Sequence, residues 1–165
     1  MMCGPNCLWQ ISRAFGKMYS LGSIGSMAGT NLHNGTPVKG MVESARKMGL
    51  QAQAVKVNIK TLSRDSRIAI LLLNLREGNH YAILDKIENN KVRLLDSDKF
   101  RNLSIRELQS IWNGYAILIG DEVNHRPDHI RRYFGTILQI SGLLMLLVSA
   151  IYGGTYTYQY LSKRQ

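Results

Sequence analysis

Apolar residues near the start of the chain recur at helical spacing. Leu8, Ile11, Ala14 and Phe15 share one face, with Pro5 near the beginning and Gly16 just past the end. Residues 18–30, MYSLGSIGSMAGT, predict a second, shorter helix. Thr36-Pro37 reads as an N-cap followed by proline at the first helical position. Met41, Val42, Ala45 and Met48 then form the apolar stripe of a third helix, which Gly49 ends. After that the period changes from helical to alternating. QAQAVKV (51–57), IAILLLN (68–74), HYAIL (80–84), KVRLL (91–95) and YAILIG (115–120) predict strands. Between the last two, Ser104 and Glu107 have the spacing of a capping box, for a helix running to about Trp112. Helices first and a mostly antiparallel sheet afterwards predict an α+β domain rather than a doubly wound α/β one.

The pattern changes again near residue 121. DEVNHRPDH (121–129) is polar, and residues 121–132 are expected to be a linker. From Tyr133 to Ser162 there is no charged residue, and FGTILQISGLLMLLVSAIY (134–152) is long and apolar enough for a helix crossing a bilayer core. Arg131 and Arg132 flank one end and Lys163 and Arg164 the other, while Tyr133, Tyr152, Tyr156, Tyr158 and Tyr160 suit the interfaces. The expected organisation is a folded domain over 1–120, the linker, and a single transmembrane helix over 133–161 with a short tail to 165. Arg126, Arg131 and Arg132 before the span outnumber the two cations after it, so the N-terminal domain is expected on the cytoplasmic side of the membrane. No basic segment followed by an apolar run resembles a signal peptide at the start.

Composition adds little to the fold but narrows the partners. The 165 residues carry a net charge of +10, which favours an anionic surface such as a phospholipid bilayer. The basic residues are scattered, without interleaved aromatics or a nucleic-acid motif, so nucleic acid is not an expected partner. Two cysteines, Cys3 and Cys7, do not make a disulfide scaffold, and the four histidines do not stand in metal-ligand spacing with them. No metal or cofactor is expected. The sequence contains no P-loop, so no ATP site is expected in it either.

The chemistry concentrates at Cys3. At the N-terminus of the first helix, its sulfur faces free backbone N–H groups and the positive end of the helix dipole. Both favour thiolate over thiol. The same N–H groups are suited to stabilising an oxyanion formed when the sulfur attacks a carbonyl. Cys7 lies one turn further in, beside Leu8 and Ile11, and reads as packing.

A nucleophile of this kind needs a base, and GNHYAILDKIENNKVRLLDSD (78–98) offers His80. His80 opens one strand, ENNK (88–91) is a hairpin turn, and Asp96 and Asp98 close the returning strand. Pairing 84 with 92 puts His80 opposite Asp96; a shift by two puts it opposite Asp98, with Asp96 diagonal. A two-residue turn at Asn89-Asn90 breaks this parity unless a bulge restores it. Spacing alone therefore offers both aspartates as partners for His80.

The ordered set CGP (3–5), MAGT (27–30), NGTPVKGM (34–41), GNHYAIL (78–84), VRLLDSD (92–98) and IWNGYAILI (111–119) resembles the bacteriocin-processing, double-glycine cysteine peptidases. These are the papain-like domains of peptide-exporting ABC transporters. The resemblance runs from Cys3 to about Gly120 and implies a papain-like fold, with N-terminal helices packed on an antiparallel sheet. It implies Cys3 as nucleophile, His80 as general base and acid, and Asp96 as the orienting carboxylate. The implied substrate is a peptide with a Gly-Gly leader, the implied partner an ABC transporter, and the implied reaction hydrolysis through a thioester. The alternative expectation is a weak or inactive peptidase-like domain that binds leaders or a transporter without cutting. Two departures stand out. Only Met1 and Met2 precede Cys3, where the family has an oxyanion-hole glutamine, and Ser97 replaces the proline that usually follows the aspartate.

Overall fold

In a computed structural model, residues 2–31 and 33–120 are described. The linker at 121–132 and the predicted membrane span at 133–161 lie outside them. Among the described residues no helix is long and apolar enough to cross a membrane.

The elements run α1 (Cys3–Ala14), α2 (Leu21–Met27), α3 (Val38–Lys47), β1 (Gln51–Lys56), α4 (Ile59–Leu62), β2 (Ile68–Leu75), β3 (Gly78–Glu88), β4 (Lys91–Asp96), β5 (Lys99–Ser104), α5 (Ile105–Ile111) and β6 (Trp112–Gly120). The strands form a six-stranded sheet in the order β1-β6-β2-β3-β4-β5, with every neighbouring pair antiparallel. The α+β expectation agrees with this.

Strand alternation divides the core between two faces of the sheet. On one face Leu71, Leu73, Ala82, Leu84, Leu94, Ala116 and Leu118 pack with Leu62 of α4 and Leu108 of α5. The intervening residues Ile70, Ile83, Ile117 and Ile119 are buried too. On the helical side, α1 packs on β3 and α3 on β1 and β6. The buried stripe Leu8, Ile11 and Ala14 of α1 and the buried Met41 and Ala45 of α3 explain why these segments dock as helices. Helices α2 and α3 approach so closely that a Cβ on Gly40 would lie 2.0 Å from the Ala28 carbonyl oxygen.

Several details differ from the sequence reading. Helix α3 begins one residue later than expected, with Pro37 in extended backbone as its cap. The Thr36 hydroxyl is engaged elsewhere, 2.9 Å from that of Thr30, so it does not cap the helix. Helix α4 and strand β5 were not anticipated, and β3 extends beyond 80–84 in both directions. The hairpin register resolves the parity problem. Asn89 and Asn90 form a two-residue turn with φ of 49° and 60°, the left-handed pair that such hairpins need. The ladder runs Glu88↔Lys91 to Lys86↔Arg93, shifts, and resumes at Leu84↔Leu94 and Ile83↔Leu95. The irregularity falls at Asp85, which is buried and paired with Arg93. The resulting register is the shifted one, which sets Asp96 diagonal to His80.

Candidate active site

Helix α1 starts at Cys3, and among the described residues no side chain caps it and no acidic residue occupies its first turn. Its first N–H groups are therefore left for other acceptors. The backbone N–H groups of Gly4 and of Tyr81, the latter across the interface with β3, are near enough to the Cys3 sulfur to favour its thiolate. Gly4 is needed for this closeness. A Cβ there would meet Met41 Sδ at 2.9 Å, Tyr81 Cδ2 at 3.1 Å and Thr36 Cβ at 3.2 Å.

The structure brings Cys3, His80 and Asp96 together. His80 hydrogen-bonds the Cys3 sulfur. Its Nε2 lies 2.7 Å from Asp96 Oδ1, which leaves Nδ1 as the nitrogen for the sulfur. His80 and Asp96 are both mostly withdrawn from solvent, at 17% and 19% side-chain exposure. Arg101 of β5 donates from Nη1 to the other carboxylate oxygen of Asp96 at 3.3 Å. Asp98 is exposed in the turn beyond. Sequence spacing left the two aspartates equivalent; the contact with His80 is made by Asp96.

The electrostatics follow from this geometry. Burial pushes the Cys3 thiol up, but the hydrogen bond to His80, the Tyr81 N–H, the His80 charge and the Gly4 N–H together hold it below the ordinary thiol value. His80 is pushed up to about 9, foremost by its bond to Cys3, against burial, and then by the hydrogen bond and charge of Asp96. A thiol lowered beside an imidazole raised is the signature of a thiolate–imidazolium pair. Cys7 behaves oppositely. It is 3% exposed, its Sγ points to the Tyr81 carbonyl oxygen at 3.5 Å, and burial pushes its thiol strongly up, so it stays protonated. Among the described residues no group of three His, Cys, Asp or Glu side chains is disposed to hold a metal.

Cys3 lines a cleft of about 340 Å³, large enough for a short stretch of peptide. One wall is the segment from His33 to Val38; the other is Leu72, Glu77, Gly78, Asn79 and Tyr81 from the β2–β3 hairpin. The first wall is folded by Asn31, whose Oδ1 accepts from the backbone of His33 at 3.0 Å and of Asn34 at 2.6 Å. The Tyr81 hydroxyl ties the two walls together by donating to the Thr36 carbonyl oxygen at 3.0 Å. Burial, then the negative charge of Cys3, push that phenol up to about 12, so it remains a donor at neutral pH.

Several of these partners were not visible in the sequence. Arg101 sits on a strand whose weak alternation concealed it. The Tyr81 contribution is made by its backbone and hydroxyl, which no motif displays. Gln10 of α1 is mostly buried and donates from Nε2 to the Ser97 carbonyl oxygen, next to Asp96. A polar residue on the buried stripe of an amphipathic helix was the available signal for it.

Comparison with known proteins agrees with the fold. Residues 1–124 match the profile of the peptidase C39 family, and the chain belongs to that family. It is 26% identical over 149 residues to the pediocin PA-1 transport/processing ATP-binding protein PedD of Pediococcus acidilactici, covering 87% of this chain and 20% of PedD. It is 23% identical over 133 residues to the transport/processing ATP-binding protein ComA of Streptococcus pneumoniae, covering 77% of this chain and 18% of ComA. The chain thus spans about a fifth of the length of these transport proteins. Among solved structures, the peptidase domain of Streptococcus ComA, a bifunctional ABC transporter involved in quorum sensing, superimposes with a TM-score of 0.66 at 25% identity. That match covers 73% of this chain and 92% of that domain. A double-glycine-motif protease from an AMS/PCAT transporter, solved with its leader peptide, shares the fold with a TM-score of 0.64 at 18% identity, covering 71% and 82%.

Proposed function

We propose that this chain is a cysteine peptidase that cuts peptide leaders after a Gly-Gly pair, tethered to the membrane by a helix at 133–161. The observation that carries the reading is the Cys3–His80–Asp96 relay at the edge of a peptide-sized cleft. Membership of the peptidase C39 family and the likeness to the leader-processing domains support it.

In this reading the Cys3 thiolate attacks the carbonyl carbon of the second glycine, forming a C–S bond and driving the π electrons onto oxygen. Backbone N–H groups at the start of α1 face the developing charge. As the oxyanion collapses the C–N bond breaks, and His80 passes its Nδ1 proton to the leaving amine. His80, now neutral, takes one proton from water as its oxygen adds to the thioester carbonyl; the C–S bond then breaks, the sulfur leaves as the Cys3 thiolate, and the new carboxyl group gives its remaining proton to solvent. Asp96 keeps the ring oriented and stabilises the imidazolium at both stages. The uncharged stretch from Tyr133 to Ser162, flanked by cations, supports the tether, and the excess of arginines before it supports a cytoplasmic catalytic domain. A peptide-exporting ABC transporter is the partner this arrangement fits.

The test is incubation of the full chain in detergent or vesicles with a synthetic leader peptide containing one Gly-Gly pair. Cleavage after the second glycine, lost in Cys3→Ala and kept in Cys7→Ala, is expected. Equal activity in the two variants would refute the assignment; leader binding without cleavage in the parent chain would replace it with the binding-domain alternative.

A further inference from the structure

Gln10 lies seven residues after Cys3 and three after Cys7, so all three occupy one face of α1. That face looks toward β3 and the turn that follows β4. Asp96 is the last residue of β4, and its turn to Lys99 passes through Ser97 and Asp98. The hairpin is at the free end of the sheet, because β5 is an edge strand. Ser97 has a φ of 58°, a left-handed conformation that a serine does not favour. A proline, restricted to negative φ, would not fit it. The carboxylate that orients His80 is therefore mounted on a strained turn at a sheet edge. Its backbone is tied to α1 by the bond from Gln10 Nε2 to the Ser97 carbonyl oxygen.

We propose that Gln10 is a positioning residue for the peptidase site: through Ser97 it holds Asp96 at a fixed distance from Cys3, so that one helix sets both ends of the relay. The inference rests on the roles assigned above to Cys3, His80 and Asp96. The burial of Gln10 supports it independently. Gln10 is 9% exposed, and its Oε1 is buried without a hydrogen-bond partner among the described residues. An amide buried with its acceptor unbonded costs stability, and an apolar side chain of similar length would fill the place more favourably. The residue fits the place through its donor, not its packing. The titratable groups about Asp96 are His80 from β3, Cys3 and Cys7 from α1 and Arg101 from β5, and Gln10 adds no charge to them.

The experiment is alkylation of Cys3 by iodoacetamide as a function of pH in the full chain, read by peptide mass spectrometry, for the parent, Gln10→Met and Gln10→Leu. Thermal melts are recorded in parallel. Neither substitution can donate, and both fill the buried volume. The acid limb of the Cys3 profile is expected to move up by about one pH unit, with roughly tenfold slower alkylation on that limb, as Asp96 loosens from His80. The melting temperature is expected to hold or rise. An unmoved profile in both variants overturns the proposal while leaving the relay intact. So does a collapse of the melting temperature, which would make Gln10 a packing residue. A parent chain with no lowered Cys3 limb would overturn the relay itself, and this inference with it.

Discussion

Replacing Asp96 by asparagine keeps the shape of the side chain and removes its charge. Asp96 Oδ1 is 2.7 Å from His80 Nε2, and both side chains are largely shielded from water. A hydrogen bond to a charged group in such a setting contributes about 1.5–3 kcal/mol. At about 1.4 kcal/mol per unit, that corresponds to a fall of roughly one to two units in the pKa of His80. His80 starts at about 9, raised first by its bond to Cys3 and then by Asp96. Fewer imidazolium ions at neutral pH mean less counter-charge for the thiolate, so the Cys3 pKa rises and its reactivity at low pH falls. Alkylation on the acid limb is expected to slow by about ten- to a hundredfold, with the limb displaced to higher pH by one to two units. Titration of the His80 ring by NMR in the same variant should show the matching downward shift. Asp98→Asn, which alters an exposed carboxylate, should leave both measurements in place. An Asp96→Asn profile that overlays the parent, or a shift produced by Asp98→Asn instead, would refute the pairing.

Two further outcomes follow from the same geometry. Cleavage of a Gly-Gly leader should fall on the alkaline side near pH 9, because His80 must carry a proton to give to the leaving amine and loses it as pH rises through that value; kcat/KM measured from pH 6 to 10.5 checks this. Gly4→Ala should destabilise the domain by about 1–3 kcal/mol and slow cleavage, because the new Cβ would sit 3.1 Å from the Tyr81 ring and 3.2 Å from Thr36, the pair that joins the cleft walls. Urea unfolding curves that overlay those of the parent would contradict that reading.

The parts of this molecule that sequence made legible are those governed by local rules. The stripe of Leu8, Ile11 and Ala14 and the Ser104–Glu107 capping box are encoded within one or two helical turns, and both are present as expected. The hairpin shows where local rules stop. Asn89-Asn90 announces a two-residue turn, but the shift at Asp85 that restores the parity depends on the pairing of Asp85 with Arg93 across the strands. Only with that shift is Asp96 set beside His80, and the linear spacing of residues 80, 96 and 98 could not choose it. Strand β5 was missed because Lys99–Ser104 is an edge strand with little buried surface, so alternation hardly marks it. Helix α4 spans four residues, too few for a helical period to register. Gln10 and Tyr81 act through contacts with residues 87 and 45 positions away, which no local pattern records.

The central claim is that Cys3 becomes acylated by the glycine end of a leader. The most direct measurement is mass spectrometry of the full chain, quenched in acid during turnover of a Gly-Gly leader peptide and digested at low pH. A Cys3 peptide heavier by the leader fragment ending in the second glycine is expected, absent in Cys3→Ala and strongly diminished in His80→Ala, which can neither hold the thiolate nor protonate the leaving amine. Leader cleaved at the same bond with no adduct at Cys3, or an adduct on Cys7, would contradict it.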